Sequence, residues 1–385
     1  MIPRITVIPD NHSFFLFGPR QCGKTTRIES QFGARFFKID LLQHDTYLHY
    51  LKNPGAFRQD VLAASAKHPG PLFVDEIQRI PELLNEIHSL IESHKLIFMM
   101  TGSSSRKLKR GGANLLAGRA WQYFLYPYVF REVSRDFNLE TALRFGTLPA
   151  IYELSDDLKV KALRSYTDTY LREEIQAEGI ARNLGDFGRF LEVAAAQSGE
   201  VLNYSNLGRE CGVDPKICRS YYQILEDTLM GFILYPWRKS VRKQLALQPK
   251  FYFFDTGVVN SINRRLTEAP DPTYRGHLFE HLIVLETYRH LHYQDTDCQI
   301  FFWRTKYKTE VDLIVEKHGE IRFAIEIKSS KQVTSQHLTA LYSIKGDHPG
   351  AQCILVCDTL HPYQQDHIEV WPWKDYLEKL PDLLR

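Results

Sequence analysis

The 385-residue sequence predicts an α/β protein: a parallel sheet with helices on both faces, followed by a helical and winged-helix module and a second, smaller α/β unit. Three observations carry this. Short apolar runs alternate with amphipathic stretches from Ser13 to about Tyr128, the pattern turns helical from Arg131 to about Gln197, and alternating runs return after Lys250. Domains cluster at about 100 to 200 residues, so this length asks for more than one core. The expected divisions are 1–130, 131–200, 201–248 and 249–385.

Composition narrows the class. An apolar fraction of 44% with 24% charged residues is that of a globular chain, and no repeat or low-complexity run is visible. A formal charge of +2 exerts no global pull on polyanions, so nucleic-acid contact would need a local patch. Six cysteines with no CxxC pair fit reduced thiols and argue against a disulfide framework or zinc ribbon. The opening MIPRITVIPDN lacks a signal-peptide core, and no stretch reaches the ~18 apolar residues of a membrane span. A cytoplasmic protein with no membrane partner is expected.

The first sheet is read from SFFLF, RFFKID, PLFVDEI, KLIFMMTG and WQYFLYP, which suit buried parallel strands. Directly after the first, Gly18-Pro19-Arg20-Gln21-Cys22-Gly23-Lys24-Thr25 fits G-x-x-x-x-G-K-[ST], with a helix expected to begin at Lys24 and the residues through Thr26 read as nucleotide-binding. Glycine lets successive amides and the helix dipole face phosphates. Lys24 reaches β- and γ-phosphates and Thr25 ligates Mg2+. PLFVDEI ends in Asp75, read as a second Mg2+ ligand, and Glu76, read as the group that orients or deprotonates water. The next strand leads into Thr101-Gly-Ser103-Ser-Ser105, where Ser103 is the candidate sensor of the γ-phosphate or part of a polar loop. Arg119 either contacts a γ-phosphate, its own or a neighbouring subunit's, or caps a helix end. Cys22, among the phosphate-binding amides, is a small tolerated residue or an oxidisable thiol.

Residues from about Leu202 to Lys243 read as helix, turn at Gly212, helix, strand and basic segment. Asp214 caps the second helix and Pro215 takes its first position. Lys216 and Arg219 on that helix, with Arg238, Lys239, Arg242 and Lys243 after the strand, suit phosphates of double-stranded DNA. The other reading is a packing module with solvated charges, and Glu226 and Asp227 late in the helix would repel phosphate.

Farther on, Asp312 lies in EVDLIVE, Glu326 and Lys328 share a strand face in AIEIK, and Glu280 lies on the preceding helix. Two acids that chelate Mg2+ beside a lysine make a nuclease-like set, whereas an ordinary salt bridge is the plainer alternative. His277-Leu-Phe-Glu280-His281 also matches H-x-x-E-H of inverted zinc peptidases, without a third ligand.

With these residues in order, the chain resembles a widespread group of bacterial and archaeal AAA-type ATPases with an uncharacterised carboxy-terminal domain. GPRQCGKTT, FVDEIQRIPELL, MTGSSS, LLAGRAWQYFLYP, YLREEI, ILEDTL, KFYFFDTGVV, HLFEHLIVLE, EVDLIVE and AIEIKSS carry the resemblance. It implies a P-loop NTPase domain of AAA type, a winged helix and a restriction-endonuclease-like domain of the PD-(D/E)XK type. ATP and Mg2+ as cofactors, and a homo-oligomer with sites between protomers, come with it. The chain departs from better-studied relatives in offering serine for asparagine at the sensor position, and no clear second sensor arginine is evident. The expected function is ATP hydrolysis directed at DNA, with a tail that cuts or holds DNA. A nucleotide-gated signalling or assembly ATPase without nucleic-acid substrate is the alternative.

Overall fold

A computed structural model describes residues 2–33, 35–68, 70–104, 116, 118–170, 184–238 and 248–385. The chain forms two compact units, Met1–Pro127 with Asp227–Met230, and Tyr128–Glu226 with Gly231–Arg385.

In the first unit β1 (Phe14–Phe17) leads into α1 (Lys24–Phe32), then β2 (Phe37–Asp40), α2 (His44–Lys52), α3 (Pro54–Lys67), β3 (Leu72–Asp75), α4 (Leu83–His94), β4 (Phe98–Gly102) and β5 (Trp121–Phe124). Pro54 at the first position of α3 separates it from α2, because proline starts a helix but cannot continue one. The sheet order is β2-β3-β4-β1-β5, parallel throughout. The strands after which phosphate-loop and acidic residues fall, β1 and β3, flank β4, so their loops leave the same end of the sheet. Such carboxyl ends are where open α/β sheets bind ligands. Both faces are covered: Phe15, Phe17, Val74 and Met100 pack with α3 and α4 on one side, and Phe14, Leu16, Phe73 and Met99 with Ile28 and Phe32 on the other. One expectation needs correction. WQYFLYP forms an edge strand, not a buried one: Trp121 and Gln122 are exposed because β5 pairs only with β1.

The second unit begins with helices. These include α5 (Leu139–Phe145), α6 (Asp156–Ser165), α7 (Leu184–Ala196), α8 (Tyr204–Cys211) and α9 (Pro215–Asp227). Strands β6 (Gly231–Leu234) and β7 (Lys250–Phe253) pair antiparallel. Then come α10 (Thr256–Ile262), α11 (Pro272–Gln294), β8 (Cys298–Arg304), β9 (Glu310–Lys317), β10 (Glu320–Lys328), α12 (Ser335–Asp347), β11 (Gln352–Cys357), β12 (Tyr363–Gln365), β13 (Ile368–Pro372) and α13 (Trp373–Leu383). The expected helix over TYLREEIQAEGI falls mostly outside the described residues. The carboxy-terminal sheet has the order β12-β13-β11-β10-β9-β8, mixing parallel and antiparallel pairs. Its inner face shares one core with α5 and the β6–β7 pair: Ala142, Leu143, Phe232 and Tyr252 pack with Leu278, Leu282, Ile325 and Trp373. A second core on the other face joins Ile314, Ala324 and Leu355 to Leu341 of α12.

Candidate functional site

The loop from Gly18 to Gly23 turns β1 into α1. A Cβ on Gly18 would lie 2.0 Å from the Leu125 carbonyl oxygen, and Gly23 sits at φ +84°, where a side chain is strained. Gln21 is also left-handed at φ 61°, so the backbone bends as an anion-binding nest requires. Lys24 is buried, and its Nζ donates to the carbonyls of Gly18 at 2.7 Å and Pro19 at 3.0 Å. Its ammonium therefore lies within the loop that phosphates would enter. Cys22 is fully buried, which favours the small packing residue over a solvent-reactive thiol.

Asp75, at the end of β3, faces this loop. Its Oδ2 accepts from Thr25 Oγ1 at 3.0 Å and lies 3.7 Å from Lys38 Nζ, while Thr101 Oγ1 donates to Oδ1. Burial pushes the carboxyl above its ordinary range, against the hydroxyls of Thr101 and Thr25 that favour the carboxylate. Thr101 also accepts from the Glu76 amide at 3.1 Å, tying the two acids to β4. Glu76 adopts a left-handed backbone, φ 59° and ψ 48°. Such a conformation is costly for glutamate and is kept only where surrounding bonds hold it. The holder is Gln78, whose Nε2 donates to Glu76 Oε2 and to Ser103 Oγ at 3.1 Å, while Ser103 Oγ donates to Glu76 Oε2 at 3.3 Å. A carboxylate only accepts, so the amide nitrogen must face it.

Lys24, Thr25, Asp75, Glu76 and Ser103 thus gather at one end of the sheet. Thr101, Gln78 and Lys38 belong with them and escaped the sequence reading. The signal for Thr101 was its place at the end of the strand next to β3, and for Gln78 its spacing two residues beyond Glu76. Arg119 pairs with Glu92 Oε1 of α4.

In the second unit, Asn203 caps α8 by accepting from the amides of Ser205 and Asn206, Gly212 ends it at φ +69°, and Asp214 Oδ1 accepts from Lys216 N at 2.8 Å. Lys216 and Arg219 are exposed on α9. Arg238 instead donates to the carbonyls of Trp237 at 3.0 Å and Arg304 at 2.7 Å, because the isolated pairing of Pro236 with Phe302 draws it onto β8. Two of its guanidinium nitrogens are thus engaged by backbone carbonyls. Lys239, Arg242 and Lys243 lie outside the described residues.

Asp312 on β9 and Glu326 and Lys328 on β10 converge. Asp312 Oδ2 accepts from the Ile327 amide at 2.8 Å and from Lys328 Nζ at 3.3 Å, and the same ammonium lies 2.6 Å from Glu326 Oε1. Glu326 Oε2 is buried and has no hydrogen-bond partner among the described residues. Burial, and then Glu280, pushes Asp312 up to about 6, and burial with Asp312 pushes Glu326 up to about 8. Lys328 is raised because both acids outweigh its burial. Glu280 on α11 turns instead to Lys250 Nζ at 3.2 Å and Tyr252 OH at 2.7 Å. Lys250, also missed in the sequence, lies 2.7 Å from Glu310 Oε1 as well. Among the described residues no group of three or more His, Cys, Asp or Glu side chains converges to hold a metal.

The zinc pattern is not supported by the geometry. His281 is buried with Nε2 2.7 Å from the Phe253 carbonyl, so that nitrogen carries the proton, and His277 Nδ1 lies 3.6 Å from Glu200. Among the described residues no helix is long and apolar enough to cross a membrane.

Comparison with known proteins agrees with the geometry of the first unit. Residues 10–134 match a family described as an AAA domain, which supports a P-loop ATPase of AAA type. Residues 136–269 and 275–376 match two domains of unknown function, DUF8612 and DUF4143. An uncharacterized protein of Mycobacterium tuberculosis is 27% identical over 372 residues, covering 92% of this chain and 80% of its own. One of Mycobacterium bovis gives the same figures. One of Methanocaldococcus jannaschii is 25% identical over 352 residues, covering 84% and 76%.

Proposed function

We propose that the chain is an ATP-hydrolysing enzyme directed at DNA, whose carboxy-terminal carboxylates form a divalent-metal site of nuclease type. One observation carries the ATPase reading: Thr25, Asp75, Thr101 and Glu76 are joined by hydrogen bonds beside the phosphate loop. The residues fit ATP with Mg2+. A buried lysine rests its ammonium on the loop carbonyls of Gly18 and Pro19, and a hydroxyl and a carboxylate stand together where a small hard cation takes oxygen ligands. Thr25 and Asp75 would hold Mg2+, which supplies charge neutralisation to the β- and γ-phosphates. Lys24 exchanges its loop carbonyls for phosphate oxygens and stabilises charge developing on them. Glu76, steadied by Gln78 and Ser103, orients the attacking water and takes its proton.

DNA as the partner is supported by the exposed Lys216 and Arg219 on a capped helix that follows a tight turn. Asp312 and Glu326 fit a metal, since they are two crowded acids with a buried oxygen lacking a partner. There a divalent cation would activate water and polarise a phosphate, and Lys328 would place its ammonium on the phosphate.

Steady-state ATP turnover, with and without duplex, single-stranded and branched DNA, tests the reading. Stimulation by DNA that weakens in Lys216→Glu/Arg219→Glu is expected. DNA-independent turnover together with no DNA binding at low salt would favour a nucleotide-gated assembly ATPase. Cleavage with Mg2+ or Mn2+ that disappears in Asp312→Asn supports the metal site. If none of these DNAs is cut under either metal, with or without ATP or a non-hydrolysable analogue, the tail is a binding or assembly domain.

A further inference from the structure

The carboxy-terminal cluster contains two lysines, each bridging two carboxylates, and they differ in one respect. Lys328 lies between Asp312 and Glu326 with 34% of its side chain exposed. Lys250 lies between Glu280 and Glu310 with 4% exposed, its ammonium 5.5 Å from the centre of the Phe302 ring. An exposed four-carbon stem can carry an ammonium into solvent at little cost. A buried ammonium has no such path to solvent, and moving it would take the cation from Glu280 and Glu310, which are 20% and 24% exposed. Tyr252, on the same strand as Lys250, donates to the same Glu280 oxygen at 2.7 Å and fixes that carboxylate toward β7.

We propose that Lys250 is a built-in cation that withdraws Glu280 and Glu310 from the carboxylate cluster, so that Asp312 and Glu326 take a single divalent cation. This rests on the reading of that pair as a metal site. The buried, unpartnered Oε2 of Glu326 points to the open half, and every Glu280 and Glu310 contact named above belongs to a cation or hydroxyl already in the fold. Lys250 is thus a positioning residue that sets metal stoichiometry, with Tyr252 as its aid. Lys328 is the exchangeable cation, and it gives way when metal enters.

Mn2+ titration of the full-length chain by calorimetry, without nucleotide, tests this. The cluster's Mn2+ is the binding event removed by Asp312→Asn. Wild type is expected to take one such Mn2+, weakened about tenfold or more by Glu326→Gln, as loss of groups around a metal commonly does. Glu280→Gln should keep the Asp312-dependent event, at a smaller loss than Asp312→Asn causes, because Lys250 and Tyr252 already engage that carboxylate. Lys250→Met, which leaves Glu280 with Tyr252 and Glu310 with Arg304 but takes the shared ammonium from both, should raise total Mn2+ uptake. If Lys250→Met fails to fold, Glu280→Gln still decides. A loss in Glu280→Gln equal to that in Asp312→Asn would make Glu280 a ligand and overturn the role of Lys250. Absence of any Mn2+ event sensitive to Asp312→Asn overturns the metal reading itself, and the proposal with it.

Discussion

Replacing Gln78 by alanine separates the positioning of water from the binding of nucleotide. Its amide is buried and donates to Glu76 Oε2 and Ser103 Oγ, and Glu76 sits on a left-handed backbone that these bonds help hold. A hydrogen bond to a charged group contributes about 1.5–3 kcal/mol, and about 1.4 kcal/mol corresponds to tenfold in rate. If that energy keeps Glu76 in its working pose, kcat for ATP should fall about 10- to 100-fold. KM should stay within about twofold, because Lys24, Thr25 and Asp75 make no bond to Gln78. Gln78→Glu should do worse, setting a second acid against Glu76 in a buried space. Steady-state phosphate release measures kcat and KM, and fluorescent-nucleotide binding checks that the loop is intact. An unchanged kcat would refute the positioning role. A raised kcat would show that Gln78 restrains Glu76 instead.

Arg119 pairs with Glu92 at 36% exposure; if the chain assembles with ATP sites between protomers, mixing Arg119→Ala with Glu76→Gln subunits should yield more hydrolysis than either alone, and no gain despite verified co-assembly disfavours action between subunits. His281 gives a pH test: burial holds its imidazole down to about 4, below the free value of about 6.5. The unfolded chain therefore binds the proton first, and stability is lost as pH falls from about 6.5 toward 4, by about 2 kcal/mol at pH 5. Hydrogen exchange of β7 and α11 amides should show that loss, and His281→Gln should make the dependence shallower without abolishing it, because burial also holds His290 of α11 down to about 4; an equally steep dependence in His281→Gln would assign it to other groups.

The candidate-site residues that backbone shape brings together were legible, and those that reach across strands were not. Gly18, Gly23, Lys24 and Thr25 announce themselves because a phosphate nest needs those types at fixed spacing. Asp75 and Glu76 follow because they end a buried strand. Thr101 is invisible by the same logic: its role comes from lying beside β3, where one hydroxyl serves both acids. Lys250 is farther still, reaching Glu280 and Glu310 from a strand that sequence distance separates from them. β5 misled because its apolar residues read as buried while the strand sits at an edge. The last elements left weak signals: β12 is three exposed residues, and α13 contains Pro381, which argues against a helix unless tertiary packing overrides it.

The most direct test is ATP binding and turnover by the purified chain beside Lys24→Ala and Glu76→Gln. The first removes the ammonium seated in the phosphate loop, and the second keeps the shape of Glu76 while removing its charge. Wild type should bind and hydrolyse ATP with Mg2+, Lys24→Ala should lose binding, and Glu76→Gln should bind ATP yet lose turnover. Glu76→Gln turning over ATP at the wild-type rate, or wild type failing to bind ATP at all, would contradict the account.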